Sequence, residues 1–259
     1  MHIIALNSYA GTNSDSIQYI WLENYVSKYV NRDRTPWLIV IFHAPWYNSN
    51  SGHWKEAELM RQDMEPLLYR IGVDFVFSGH VHAYERTLPV YQEKPNPCGP
   101  TYVVIGDAGN YEGPYVPWQA APSWTSFRES SFGVGELIVV NETHAYYGWH
   151  RHSCYSKSAV NYHQNFTAAS CVSYGDNSAQ KMLTADTYWA VRPALAQCPN
   201  KHYSVNAPAD GNFPTPAPSA PTRKPTRKPV KAPVKMPVKT PVKGPHKKAM
   251  YEMGVPGKW

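Results

Sequence analysis

The sequence predicts an α/β fold, and a few short segments carry that prediction. Residues 2–8, 37–42 and 73–77 are almost continuous apolar runs. Runs of this kind are typical of strands that are buried on both faces. Residues 16–31, between the first two runs, space their apolar side chains as an amphipathic helix does. Strands that alternate with helices in this way favour a sheet covered by helices.

Two helices are expected along the chain. The first covers Ser16–Asn31, with Ser14 or Asp15 as its N-terminal cap. The second covers about Trp54–Arg70, where Pro66 is expected to kink or break it. Further strands are expected at Thr101–Ile105, Phe132–Asn141 and Thr143–His150, the last two as a hairpin.

Composition divides the chain into three parts. Residues 1–151 hold the α/β pattern, and residues 152–206 form a Cys- and Tyr-rich extension with no clear element. Residues 207–259 are a basic, Pro- and Lys-rich tail with a four-residue repeat over 214–245. The tail has too few apolar side chains to offset its ordering entropy, so we expect a disordered, polyproline-like segment.

The positive charge of the protein belongs to this tail. Ten Lys and Arg residues lie between Arg223 and Lys248 with no acidic residue among them, whereas the whole chain carries a net charge of +6. The remainder is therefore mildly acidic, and the pI of about 9.0 does not describe the folded part. A solvated spacer is the simpler interpretation of the tail. Contact with an anionic polysaccharide or a membrane surface is the alternative, and nothing indicates specific nucleic-acid binding.

Cysteines and sequons favour an oxidising compartment. Asn141 and Asn165 begin N-glycosylation sequons, and no C-x-x-C pair suggests a zinc ribbon. The even number of cysteines suits disulfides of unknown pairing, among Cys98, Cys154, Cys171 and Cys198. We expect a secreted or vacuolar protein. The first residues lack the features of a signal peptide, so we also expect that the natural N-terminus lies upstream.

Three histidines follow predicted strands. His43 ends the run 37–42, and His80 and His82 lie in the segment Gly79-His80-Val81-His82 after the next strand. Ligand sites in α/β sheets gather at the carboxyl ends of strands, and imidazole binds Zn, Fe and Mn. The pattern predicts a metal site. Hydrogen-bonded core or loop histidines are the alternative.

These motifs resemble those of plant-type purple acid phosphatases. The segment Val40-Ile41-Phe42-His43 resembles the family's VxxH motif, and residues 79–82 resemble its GHxH motif. The flanks agree at His43–Tyr47, Gly79–Arg86, Ile105–Asn110, Phe127–Gly133 and Thr143–Arg151. The resemblance covers residues 2–151, and a later Asp186-x-x-Trp189 is similar to the family's as well.

The resemblance implies the C-terminal part of a four-layer αββα metallophosphoesterase sandwich. It implies a dinuclear centre of Fe(III) with Zn, Mn or Fe(II). By this resemblance His43 and His80 would bind the divalent ion, and His82 the ferric ion. His53 would be the general acid, and Gly52 stands where many plant members carry another histidine. A phosphate monoester is the implied substrate, with a homodimer as a candidate assembly.

The family's first three motifs, DxG, GDxxY and GNH(D/E), are not found in this sequence. They supply anionic ligands, and Gly106-Asp107 belongs to a different family segment and cannot replace them. We therefore expect an N-terminally truncated chain that forms no stable ferric site alone. We also expect that the absent part supplies one of the two packed sheets, so that the run 37–42 exposes an apolar face.

Three functions are compatible with the sequence. The first is an acid phosphatase whose full form holds both metals. The second is a non-catalytic, secreted, wall-associated protein with a relict phosphatase domain. The third is a phosphodiesterase, which the flanks around residues 46–47 and 127–133 disfavour. Intact His43, His80 and His82 favour the first.

Overall fold

Two facing β-sheets and a pair of helices organise the part of the chain that the computed structural model describes, residues 1–110, 112–152, 182–194 and 197–198. The elements in chain order are β1 (His2–Ala5), α1 (Ile17–Tyr29), β2 (Leu38–Phe42), α2 (Glu58–Arg70), β3 (Phe75–Ser78), β4 (Tyr84–Thr87), β5 (Val90–Tyr91), β6 (Lys94–Pro95), β7 (Thr101–Ile105), β8 (Thr125–Glu129), β9 (Gly133–Val139), β10 (His144–His152) and β11 (Met182–Val191). β5 and β6 form a small separate hairpin.

Parallel strands form one half of the larger sheet, whose order is β1-β2-β3-β7-β4-β8. β1, β2, β3 and β7 pair in parallel, and β4 and β8 join antiparallel. The register sets Phe42 beside Ser78, the last residues of β2 and β3. The residues after these two strands therefore leave the sheet side by side. The predicted α/β class is confirmed.

Both helices pack against one face of this sheet. Leu22 of α1 and Met64 of α2 share a buried core with Leu38 and Val40 of β2. Ser16 caps α1, where the sequence predicted Ser14 or Asp15. Its extended backbone lets its Oγ accept the Tyr19 N–H at 3.2 Å.

The second helix is shorter than predicted. It begins at Glu58 instead of Trp54, because His53 and Lys55 have left-handed backbones with φ of 54° and 60°. A right-handed helix cannot include such residues. Pro66 neither ends nor divides the helix, which continues to Arg70.

A three-stranded antiparallel sheet, β11-β10-β9, covers the other face of the larger sheet. It contains the predicted hairpin as β9 and β10. Trp37 is 1% exposed and Ile39 3%, so the expectation that the run 37–42 would lie open is wrong. The reason is that β9, β10 and β11 themselves build the facing sheet. Ile41, 40% exposed, remains open at the carboxyl end of β2.

A buried charged network joins the two sheets. Arg86 of β4 donates from Nε and Nη2 to the Asp186 carboxylate of β11, at 2.7 and 2.9 Å. The Tyr84 hydroxyl donates to the same carboxylate at 2.7 Å, and the Tyr84 ring stacks on Trp149 of β10. Removing one partner of such a pair typically costs about 3–5 kcal/mol, because it leaves a buried charge uncompensated.

A disulfide between Cys98 and Cys198 ties the chain before β7 to the chain after β11. Cys154, Cys171 and Asn165 lie outside the described residues, as do most of the 152–206 extension and the 207–259 tail.

All described residues belong to one compact unit, Met1–Phe213. None of the helices in this described part is long and apolar enough to span a bilayer.

Asp107 is a buried carboxyl between the sheets. Its Oδ2 accepts the Trp149 Nε1–H at 2.9 Å, while Oδ1 has no hydrogen-bond partner. Burial raises the pKa of Asp107 to about 8, and the negative charge of Glu129 adds to the rise. Below that pH the folded protein holds a proton that the unfolded chain releases near pH 4, the ordinary pKa of about 3.9.

Stability is expected to fall as pH rises from about 4 to about 8, because the native state alone keeps the Asp107 proton in this window. Asp107→Asn keeps a neutral side chain and should flatten the fall, which urea unfolding at pH 5 and pH 7.5 measures. Asp33→Asn, at an exposed carboxyl, is the control and should keep the original slope. Burial also raises the pKa of Glu85, which leaves a residual slope. An unchanged slope in Asp107→Asn would contradict the prediction.

Candidate metal centre

Two imidazoles meet at the edge where β2 and β3 end. The Gly79 N–H donates to the His43 carbonyl at 3.0 Å and so holds the two strand ends together. His43 Nε2 and His80 Nδ1 then lie 2.9 Å apart. Burial lowers the pKa of His80, and the nearby His53 and His43 lower it further, while the hydrogen bond to Glu56 opposes them. The His80 ring is therefore neutral, the form that binds metal, over a wider pH range.

An unusual backbone turn aims His80. His80 has φ of 63° at the centre of a three-residue turn, which the Val81 N–H closes by donating to the Gly79 carbonyl at 2.7 Å. Such a φ is strained for a side chain larger than glycine and persists where the surroundings enforce it. Gly106 helps to enforce it, since a Cβ there would lie 2.2 Å from the Val81 carbonyl oxygen. Only glycine allows the end of β7 to approach the turn so closely.

The loop that carries His53 is held to the sheet by a buried carboxylate. Glu85 of β4 accepts the Ser49 N–H and the Ser49 Oγ–H, each at 2.6 Å, and the Thr125 hydroxyl at 2.9 Å. The Ser51 N–H donates to the Pro117 carbonyl at 2.7 Å and fixes the next part of the loop. These contacts place the His53 ring 3.8 Å from the His80 ring, centroid to centroid.

Glu56 bridges the two neighbouring histidines. Its Oε2 lies 2.5 Å from His53 Nδ1 and 3.2 Å from His80 Nε2. These hydrogen bonds, first that of His53 and then that of His80, lower the pKa of Glu56. The carboxylate therefore stays ionised at acidic pH. No sequence motif singled out Glu56, although its place three residues after His53 just before a helix was a usable signal.

His82 has different neighbours. Its ring centroid is 4.4 Å from that of Tyr115. Its buried Nδ1 lies 3.3 Å from Glu112 Oε2, yet the angle makes no hydrogen bond. A buried polar atom without a hydrogen bond is a candidate position for a bound ion or water. Asn141, the other predicted site residue in the described part, is exposed in the turn between β9 and β10.

The residues fit a divalent ion better than a ferric ion. Two nitrogen ligands at about 2.0–2.1 Å from one ion are about 2.9 Å apart at a right angle and about 3.4 Å at a tetrahedral angle. The 2.9 Å between His43 Nε2 and His80 Nδ1 meets this condition. Among the described residues, one group of three ligand-type side chains, His53, Glu56 and His80, has its donor atoms within 4.8 Å of one another, and it shares His80 with the His43–His80 pair. A single carboxylate there, that of Glu112 at 3.3 Å, lies within ion-pair distance of His82, and one carboxylate does not complete a ferric site.

Tyr115 occupies the space beside Gly52. A Cβ at Gly52 would lie 2.5 Å from Tyr115 Cδ2, so a side chain there requires the ring to move. The same ring faces His53 and His82, with centroids 5.8 and 4.4 Å away. The Tyr115 ring therefore fills the space that a side chain at residue 52 would need.

Gly52→His is expected to destabilise the protein by about 1–3 kcal/mol, because the new side chain overpacks against the ring. Adding Tyr115→Ala should relieve the clash, so that the double variant loses less than the sum of the single losses. A double-mutant cycle of unfolding free energies measures this coupling. Gly79→Ala is the control for adding a Cβ, since its nearest neighbour would lie at 3.8 Å. Additive losses at Gly52 and Tyr115 would sink the prediction.

Two family models match the sequence. The model described as calcineurin-like phosphoesterase matches residues 3–84, which contain His43, His80 and His82. The model described as iron/zinc purple acid phosphatase-like protein C matches residues 99–160. Together with the mixed sheet between its layers, these matches bear out the predicted metallophosphoesterase fold.

Relatives among curated proteins cover the same region. Purple acid phosphatase 18 of Arabidopsis thaliana is 55% identical over 152 residues, which cover 58% of this chain and 35% of the relative. Probable purple acid phosphatase 20 of the same plant is 51% identical over 154 residues, or 58% and 36% of the two chains. A solved purple acid phosphatase from yellow lupin seeds matches with a TM-score of 0.49 and 26% identity, over 57% of this chain and 28% of that one. The chain thus spans about a third of the length of the curated relatives it matches. Over the region that these matches cover, the chain is similar to plant purple acid phosphatases.

Proposed function

We propose that this domain carries the C-terminal share of an acid phosphatase site that hydrolyses phosphate monoesters. The approach of His43 Nε2 to His80 Nδ1, at 2.9 Å on neighbouring strand ends, is the observation that supports it best. In this proposal His43 and His80 hold a divalent ion, Zn, Mn or Fe(II). His82 belongs to a ferric ion whose anionic ligands come from outside the described residues.

When bound, two such ions supply a hydroxide nucleophile at acidic pH and charge that stabilises the phosphoryl oxygens. The protein's own residues orient and protonate. His53 hydrogen-bonds Glu56 through Nδ1, so when the ring is the imidazolium its Nε2–H is the proton that can pass to the leaving-group oxygen, and the neutral ring remains. Gly52 offers no second imidazole, so the phosphoryl group meets the Tyr115 ring on that side.

The setting we propose is extracellular or vacuolar. The Cys98–Cys198 disulfide supports an oxidising compartment. Asn141 lies exposed in a turn, where a glycan would have room, and Asn165 is the second proposed acceptor. The basic tail is proposed as a spacer that contacts anionic polysaccharide or a membrane surface, and a homodimer is the proposed assembly.

A chimera tests the phosphatase proposal, with the upstream part of the 55%-identical Arabidopsis relative joined to this chain. His43→Ala and His80→Ala should each lower kcat for p-nitrophenyl phosphate by about 100-fold or more, because each removes a metal ligand. His144→Ala, at an exposed histidine of the β9–β10 turn, is the matched control and should keep full activity. Near-full activity in either ligand variant would refute the assignment.

The same assay on residues 1–259 alone tests whether this chain completes the site by itself. We expect little or no turnover, because Glu112 is the one carboxylate beside His82 in the described part, and a ferric site needs a set of anionic ligands. Robust turnover that a chelator abolishes would contradict this expectation. A folded chimera that binds metal but turns over no substrate would favour the non-catalytic, wall-associated alternative.

A further inference from the structure

Glu56 makes contacts that the assigned roles do not explain. It lies just before α2, half exposed, with one oxygen shared between His53 Nδ1 at 2.5 Å and His80 Nε2 at 3.2 Å. An ionised carboxylate accepts hydrogen bonds and cannot donate them. Both nitrogens must therefore carry their hydrogens in these contacts.

The consequence for His80 is a defined tautomer. With the hydrogen on Nε2, the Nδ1 atom keeps its lone pair, and Nδ1 is the atom that faces His43 Nε2 at 2.9 Å. Histidine ligands generally donate their second N–H to a carboxylate or carbonyl, which fixes the ring and raises its basicity. We propose that Glu56 is a positioning residue that holds His80 in the Nε2–H tautomer and so presents Nδ1 to the divalent ion. The inference rests on the proposed function only for the presence of that ion.

Direct ligation by Glu56 agrees less well with the distances. A pair of ligands on one ion at about 2.1 Å cannot approach much closer than about 2.9 Å at a right angle. The 2.5 Å between Glu56 Oε2 and His53 Nδ1 is below this spacing, so these two atoms share a hydrogen bond and not an ion. The 3.2 Å from Glu56 Oε2 to His80 Nε2 is within the spacing, so the orientation of His80 decides between the two roles. His80 Nδ1 also turns to His43, away from this carboxylate. Glu56 thus lies one layer outside the ion.

The backbone is arranged to bring these three side chains together. His53, Lys55 and His80 all have positive φ, at 54°, 60° and 63°. Left-handed residues on either side of Trp54 turn the chain back, so that Glu56 points to the end of β3 instead of joining the helix. Such conformations persist only where the surrounding structure enforces them, and three of them lie around this one carboxylate.

The test uses the full chain of 259 residues. Long-range ¹H–¹⁵N spectra report the His80 tautomer, and calorimetric titration with Zn(II) alone reports affinity. Glu56→Ala should shift His80 towards a mixture of tautomers and weaken zinc binding about 10- to 100-fold. Glu56→Gln, whose amide oxygen still accepts one N–H, should recover part of both. Glu136→Ala is the matched control, since it removes a carboxylate 3.7 Å from His150, on the other sheet.

Each outcome decides the inference. An unchanged His80 tautomer in Glu56→Ala overturns it. So does a His53→Ala variant that loses as much zinc affinity as His80→Ala while His43→Ala loses none, because Glu56 would then be a direct ligand with His53 and His80. If the unmodified chain binds no zinc, the proposal that His43 and His80 hold a divalent ion is contradicted. The His80 tautomer in Glu56→Ala still shows in that case whether Glu56 positions the ring.

Discussion

The parallel pairing of β2 with β3 is the constraint on which the site depends. Its register ends both strands at the same level, with Phe42 beside Ser78. His43 and Gly79 then bond through the backbone, and the turn at His80 aims its ring at His43. A shift of one residue would turn alternate side chains to opposite faces. It would separate the two imidazoles and expose the core that Leu38 and Val40 form with the helices.

That register is protected by layers on both sides of the sheet. Alternate residues of β2 enter two separate cores, one shared with α1 and α2 and one shared with β10. The ion pair of Arg86 and Asp186 joins the smaller sheet to the larger one, although the two residues are 100 positions apart in the sequence. Glu85, the neighbour of Arg86, points to the opposite side and anchors Ser49 in the loop that carries His53. One short strand, β4, thus couples the stability of the sandwich to the geometry of the site.

Much of this arrangement was predictable, because periodicity and motif reflect strong local constraints. Buried apolar runs predicted β1, β2 and β3, and the histidines that follow β2 and β3 indicated a site at the ends of those strands. β4 and β11 were not predicted, since Tyr84–Thr87 is polar and Met182–Val191 mixes Thr, Asp and Trp. Arg86 of β4 and Asp186 of β11 are buried because their charges neutralise each other across the two sheets. A pairing between residues so far apart in the sequence leaves no local pattern. The hairpin of β9 and β10 was predicted, but β11 and the packing of this sheet on the larger one were not, so the burial of Trp37 was missed.

Glu56 and Tyr115 were missed for a related reason. Neither belongs to a motif, and both reach the site through backbone conformations that depend on distant contacts: the left-handed pair at His53 and Lys55, and the pairing of the Gly52 loop with residues 115–119. Sequence spacing locates ligands that follow strands. It does not locate the groups that orient them.

The open end of the sandwich links packing to chemistry. A cleft of about 380 Å³ beside His43 is lined by Leu6, Ile41 and Ile105, and of these Ile41 is the open one, with 40% of its surface exposed. At the same edge Glu112 is the one carboxylate beside His82 among the described residues. Burying these apolar groups would be favourable at roughly 25 cal/mol per Å² of covered area. A segment that covers the cleft would therefore gain hydrophobic stabilisation and lie beside His43 at once.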